Sequence, residues 1–266
     1  MSASGSDPKP GCSRSGASGT LLDMTSSELW GHDTAARYDE TSAFMFEPEV
    51  LDPAVDFLVD LAGDGAALEF AIGTGRVAIP LVERGVSVAG IELSQPMVDE
   101  LHRKRADIPV VVGDMATSTV QREFSVVYLV WNSISNIRTQ TEQVACFRNA
   151  ARHLRPGGRF VIELGIPAIR HSPPGQKAVP FHVGEHHFGY DTYDLTSQQS
   201  TSHHYRHEAD GSVSYSAGSF RYIWPAECDL MAELAGMEYE SRAADWRGSS
   251  LTNDSVRHVS VWRKPM

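Results

Sequence analysis

The sequence predicts an α/β protein built on a mostly parallel, doubly wound sheet of seven strands, with an antiparallel insertion late in the chain. Three observations predict it. From about residue 65 to 167, apolar runs of strand character alternate with segments of helical period, a pattern that buries a parallel sheet between two layers of helices. The first run breaks directly into Gly73-Thr74-Gly75, a turn that only glycine makes sharply. After residue 168 the alternation stops, and a stretch rich in His, Tyr and Ser runs to residue 225.

Taken in order, residues 1–25 are rich in Ser and Gly and are expected to form a disordered tail. Residues 26–64 carry two expected helices. One covers SSELWGHDTAARYDE with Thr25 or Ser26 as its cap, and the other covers PAVDFLVDLAG, capped by Asp52, with Pro53 in the first helical position and Gly63 at its end. The core, residues 65–167, contains the strand runs ALEFAI, VSVAGIEL, IPVVVG, FSVVYLVW and RFVIELGI, and helical segments such as QPMVDELHRKR. In TEQVACFRNAARHL, Val144, Phe147, Ala151 and Leu154 fall on one helical face, and Pro156-Gly157-Gly158 is expected to stop that helix. The insertion, residues 168–225, offers HHFGYDTYDL, STSHHYRHE and SVSYSAGSFRYIW, with Asp210-Gly211 as a hairpin turn between the last two. Residues 226–266 return to the core with a helix, AECDLMAELAGM, and two strands, MEYESRAADW and HVSVWRK, spaced for an antiparallel pair.

Composition narrows the function. The 266-residue chain carries a net charge of −11 and no long Lys/Arg run, which argues against nucleic acid as a partner. Cys12, Cys146 and Cys228 lie far apart and show no metal or disulfide spacing. No run approaches the ~18 apolar residues of a membrane span, and MSASGSDPKPGCSRSGASG lacks the apolar centre of a secretory signal. A reduced, cytoplasmic setting is expected, without a membrane partner.

The chemistry is written at the strand ends. Gly73 to Ala78 satisfies G-x-G-x-x-A between a strand and a helix. Glu92, at the end of the second run, suits a pair of ribose hydroxyls, Gly90 leaves room nearby, and Asp114 follows the third run. A nicotinamide dinucleotide is one candidate, and a hydride-transferring oxidoreductase would follow from it. Its pyrophosphate is an anion, however, and Glu69 sits four residues before Gly73 with the wrong charge. A ligand with cationic groups and hydroxyl donors suits that carboxylate better, and S-adenosylmethionine (SAM) has a sulfonium, an ammonium and no phosphate.

EFAIGTG resembles the glycine-rich first motif of class I SAM-dependent methyltransferases, GIELSQPM their second strand-end motif, GDM their adenine-contacting acid, and LRPGG the turn before their fifth strand. The resemblance covers the chain from about Ala36 onward. It implies methyl transfer from SAM, leaving S-adenosylhomocysteine (SAH), to an O, N or C atom of a small molecule, as in natural-product methyltransferases. It also implies that the last strand inserts antiparallel between its neighbours. Glu69, Gly73, Gly75 and Arg76 would organise the glycine loop, Glu92 and Leu93 the ribose, and Met97, Asp114 and Met115 the adenine. Leu129, Val130, Trp131 and Asn132 would line the methionine end, and Tyr38 would stand near the methyl group. Residues 26–64, as an N-terminal helical lid, would close over the acceptor with the insertion, residues 168–225, as its cap. Ala71 replaces the first glycine of the family motif, which an extended backbone would tolerate. A non-catalytic SAM-binding protein would share these motifs.

Seven of the eleven histidines (171, 182, 186, 187, 203, 204 and 207) fall in the insertion. His203 and His207 would share a strand face while His204 points away, a spacing that does not converge on a metal, and none is expected. His187 and His204 are the candidates for an acceptor-site base, alongside Tyr38. The insertion's aromatics, including Tyr190, Tyr205, Tyr215 and Trp224, would line an acceptor pocket, fill the insertion's own core or form a homodimer contact.

Overall fold

Runs of apolar residues with no polar alternation must be covered on both faces, and the two most apolar runs take the centre of the sheet. These are β1 (Ala66–Phe70) and β4 (Phe124–Leu129), buried at every position. The computed structural model describes residues 30–266, so the tail over 1–25 and the cap at Thr25 or Ser26 lie outside the described residues. The remaining strands of the main sheet are β2 (Ser87–Glu92), β3 (Val110–Val112), β5 (Leu154–Gly165), β10 (Glu238–Ala243) and β11 (Arg257–Arg263). Their spatial order is β10-β11-β5-β4-β1-β2-β3. Strands β1 to β5 pair in parallel, and β11 runs antiparallel between β10 and β5, as the family resemblance implies. The chain moves outward in one direction from β1 and in the other from β4. A crevice therefore opens at their carboxyl ends, where folds of this type bind ligands.

Two apolar layers sandwich the sheet. On one side α5 (Gln140–His153) and α6 (Pro225–Leu234) cover Phe147, Phe160 and Trp262, whose rings pack 5.1 to 6.1 Å apart. On the other, α2 (Pro48–Ala62), α3 (Ala78–Glu83) and α4 (Gln95–Lys104) cover Leu58, Leu81, Leu101 and Tyr128. A further helix, α1 (His32–Thr41), lies over the crevice end of α4. No helix among the described residues is long and apolar enough to cross a membrane.

Two local expectations are corrected. Helix α2 begins at Pro48, so Pro53 lies inside it and Asp52 is not its cap. Proline at 53 has no N–H for the carbonyl of Glu49 one turn earlier, and the Arg247 guanidinium donates to that oxygen instead at 3.0 Å. Helix α5 ends at His153, before Pro156-Gly157-Gly158, and those three residues already belong to β5.

The insertion is a second sheet of four antiparallel strands: β6 (Ala178–Val183), β7 (His187–Asp194), β8 (Gln199–His207) and β9 (Val213–Arg221). Strand β6 has no counterpart in the sequence reading, because Pro180 interrupts a short run. Proline is tolerated there because β6 is an edge strand. Gly211, at φ +83°, turns β8 into β9.

Candidate active site

The carboxyl ends of β1, β2 and β4 border one cleft made of two cavities, of 500 and 140 Å³, that share Trp30, Ala71, Glu92, Ser133 and Asn136 as walls. Leu93, Asp114 and Met115 line the larger, and Tyr38, Glu69, Gly73, Arg76, Met97, Val130 and Trp131 the smaller. Of the predicted cofactor residues, three fall outside the walls. Leu129 is fully buried and faces the α5 core. Asn132 turns away to accept a hydrogen bond from Gly165 N at 2.5 Å. Gly75, at φ +84°, is needed for packing, since a Cβ there would meet Leu101 Cδ1 at 2.3 Å. Gly90 likewise makes room for the Ile72 side chain, at 2.6 Å from a built Cβ, rather than for a ligand.

Glu92 closes β2 with both carboxylate oxygens fixed. Gly73 N–H donates to one at 2.8 Å and Ser94 N–H to the other at 2.9 Å. Burial raises its pKa, and these backbone donors oppose the rise. Each oxygen keeps a second lone pair, and Glu92 borders both cavities. Asp114 spends Oδ1 on Ala116 N–H at 2.7 Å, which leaves Oδ2 for a ligand donor.

Glu69 is 2% exposed, and its partner is neutral: the Tyr128 hydroxyl donates to Oε2 at 2.9 Å. Burial pushes the carboxyl up to about 8, against the pull of Tyr128 and Arg76. Without a cation beside it Glu69 is protonated at neutral pH, and a cation in contact would favour its ionisation. Two residues after Glu69 the backbone departs from the extended expectation: Ala71 adopts φ +54°, in the left-handed region that the family's glycine would occupy without strain.

The end of β4 is strained as well, with Trp131 at φ +54° and Asn132 at φ +63°. Glu163 on β5, which sequence reasoning missed, holds this turn: Trp131 N–H donates to its Oε2 at 3.1 Å and Asn132 N–H to its carbonyl at 3.3 Å. The guanidinium groups of Arg76 and Arg257 both lie over the Trp131 indole, 5.8 and 5.4 Å from its centroid. Helix α1 closes over the smaller cavity and is tied down twice. Ser94 Oγ donates to the Trp30 carbonyl at 2.6 Å, while Thr74 Oγ1 and Lys104 Nζ both donate to the Asp39 carboxylate at 2.6 Å.

His187 and His204 line neither cavity. They stack on each other in the insertion and share a 3.0 Å hydrogen bond between Nε2 and Nδ1. The insertion's link to the core is at the Gln199 end of β8, five residues from His204, or about 17 Å along a strand. No group of His, Cys, Asp and Glu among the described residues is arranged to hold a metal ion.

A family model for a methyltransferase domain matches residues 67–158. The chain is 29% identical over 238 residues to a cypemycin N-terminal methyltransferase of a Streptomyces species, a match spanning 84% of this chain and 96% of the other. Over 96 residues it is 32% identical to dTDP-3-amino-3,4,6-trideoxy-alpha-D-glucopyranose N,N-dimethyltransferase of Streptomyces venezuelae, covering 36% of this chain and 40% of that one. The solved CcbJ methyltransferase from Streptomyces caelestis superposes with a TM-score of 0.78 at 32% identity, covering 89% of this chain and 98% of that one. Hydride transfer on a nicotinamide has no support beside these matches. With strand order, cleft and a match over nearly the full length at 32% identity in agreement, the chain belongs to the class I SAM-dependent methyltransferases.

Proposed function

We propose that the protein transfers a methyl group from SAM to an amino nitrogen of a small natural-product molecule, within the cleft at the ends of β1, β2 and β4. The observation that carries the placement is Glu92, which borders both cavities and whose two fixed oxygens each keep a lone pair to spare, a match for two neighbouring ribose hydroxyls. Asp114 Oδ2 takes the adenine amino group beside Met97 and Met115, and Glu69 and Tyr38 bound the methionine end. The choice of nitrogen rests on relatives whose names specify N-methylation.

When bound, SAM supplies an electrophilic methyl group on a sulfonium, which the acceptor's lone pair takes by in-line displacement. The chain's own residues position and enclose. Trp30 and Tyr38, edge to face at 5.8 Å, cover the cleft under the clasp of Asp39, and Trp131 fixes the wall on the acceptor side. Positioning of this kind supplies up to about 7–11 kcal/mol of rate acceleration in favourable cases. Neither His187 nor His204 belongs to this centre. A cytoplasmic setting fits the free, buried thiols of Cys146 and Cys228, and the exposed apolar side chains of the insertion suit a homodimer contact.

Calorimetric titration with SAM and SAH, with NAD as control, tests the reading. Saturable binding of the first two alone is expected, and binding of NAD alone would overturn it. Replacing Glu92 with Ala should weaken SAM by ~1–3 kcal/mol, the cost of leaving buried donors unpaired. Unchanged affinity would remove Glu92 from the site.

A further inference from the structure

A buried polar chain runs from the insertion to the cleft, and the reading above gives it no role. Arg221, the last residue of β9, is 4% exposed, and Gln143 on α5 is fully buried. The Arg221 guanidinium donates to Gln143 Oε1 at 2.5 Å, to Gln198 Oε1 at 3.1 Å and to Glu227 Oε1 at 2.7 Å. On its other side, Gln143 Nε2 donates to the carbonyls of Ile134 at 3.3 Å and Ile137 at 2.8 Å. The first carbonyl belongs to the helical turn Ser133–Asn136 and the second to the residue that caps its end, and Ser133 and Asn136 are walls of both cavities.

The chemistry of an amide makes this chain directional. A glutamine side chain has one accepting and one donating end in a single plane. A guanidinium can only donate, so Arg221 forces Oε1 toward itself and thereby aims Nε2 at the two carbonyls. Without Arg221 the amide is free to turn over and present oxygen to oxygen.

We infer that Arg221 and Gln143 are positioning residues through which the insertion sheet fixes the Ser133–Asn136 wall of the cofactor cleft, so that SAM affinity depends on the insertion. This rests on the placement of SAM proposed above. The full chain is titrated calorimetrically with SAM and SAH and melted thermally, as wild type, Gln143→Glu, Arg221→Lys and Asp229→Asn. Gln143→Glu keeps an acceptor for Arg221 but turns oxygen toward the Ile134 and Ile137 carbonyls. Arg221→Lys keeps a charge near Glu227 and replaces the fork that serves Gln143, Gln198 and Glu227 together by a single ammonium. Asp229→Asn breaks a different ion pair, to Arg242 at 2.6 Å, which has no link to the wall.

The first two variants should weaken SAM about tenfold, a loss of one contact's worth of affinity, while Asp229→Asn lowers thermal stability and keeps affinity within about twofold of wild type. Should Gln143→Glu fail to fold, Arg221→Lys carries the test. Wild-type affinity in a folded variant of either residue overturns the inference alone. So does a loss of affinity in Asp229→Asn that matches theirs for the same loss of stability, because the role would then be merely structural. Failure of the wild type to bind SAM overturns the functional reading and this inference with it.

Discussion

Glu69 has a hydroxyl for a partner where a charge would have been expected, and two consequences follow at the scale of that residue. Its folded pKa, about 8, stands above the ordinary 4.5. Between those values the folded protein holds a proton that the unfolded chain has released, so stability falls as pH rises from 4.5 to 8. Wild type should therefore lose on the order of a few kcal/mol relative to Glu69→Gln across that window in urea titrations without cofactor. In the same window SAM binding by wild type should strengthen with pH and release a proton, seen as a buffer-dependent binding heat, and a flat profile would count against it. Ala71 supplies the second residue-scale test. Its left-handed backbone costs ~1–2 kcal/mol, part of which glycine gives back in unfolded-state entropy. Ala71→Gly should raise stability by about 0.5–1 kcal/mol, and a lower melting temperature would mean the methyl packs against something that matters.

At the scale of elements, α2 shows how a local rule gives way to a distant partner. Pro53 leaves the Glu49 carbonyl without its helical donor, and Arg247 reaches it from the loop between β10 and β11. Pro53→Ala should restore the helical bond and stabilise α2 by about 1–3 kcal/mol in thermal melts. A loss of stability would show that the Arg247 contact is worth more than the turn it replaces. The same contrast explains what the sequence disclosed. Glu92 and the glycine loop were legible because a strand end and a short spacing place them without help from the rest of the chain. Antiparallel insertion of β11 was legible only through the family likeness. Glu163 was not, because its task is set by Trp131 and Arg257, 32 and 94 residues away in sequence. Asp52-Pro53 read as a helix start because proline favours that position, and nothing local reveals that the helix began five residues earlier. The pairing of Gln143 with Arg221, 78 residues apart, leaves no mark in either segment.

For the whole molecule, the cleft belongs to the main sheet, and the insertion carries exposed apolar side chains of its own. Val183 on β6 is 75% exposed, and Phe188 on β7 and Tyr215 on β9 are exposed in the same cross-strand row. If that face pairs two copies, Val183→Lys should convert a dimer to a monomer in sedimentation velocity with SAM binding retained. Sedimentation of wild type as a monomer would refute the pairing. The insertion is also long for its attachment. Strand β8 has nine residues, roughly 30 Å of extended chain, and it meets the core at its Gln199 end. Its root lies beside the cleft, so any tilt there would carry the far tip through several times the distance.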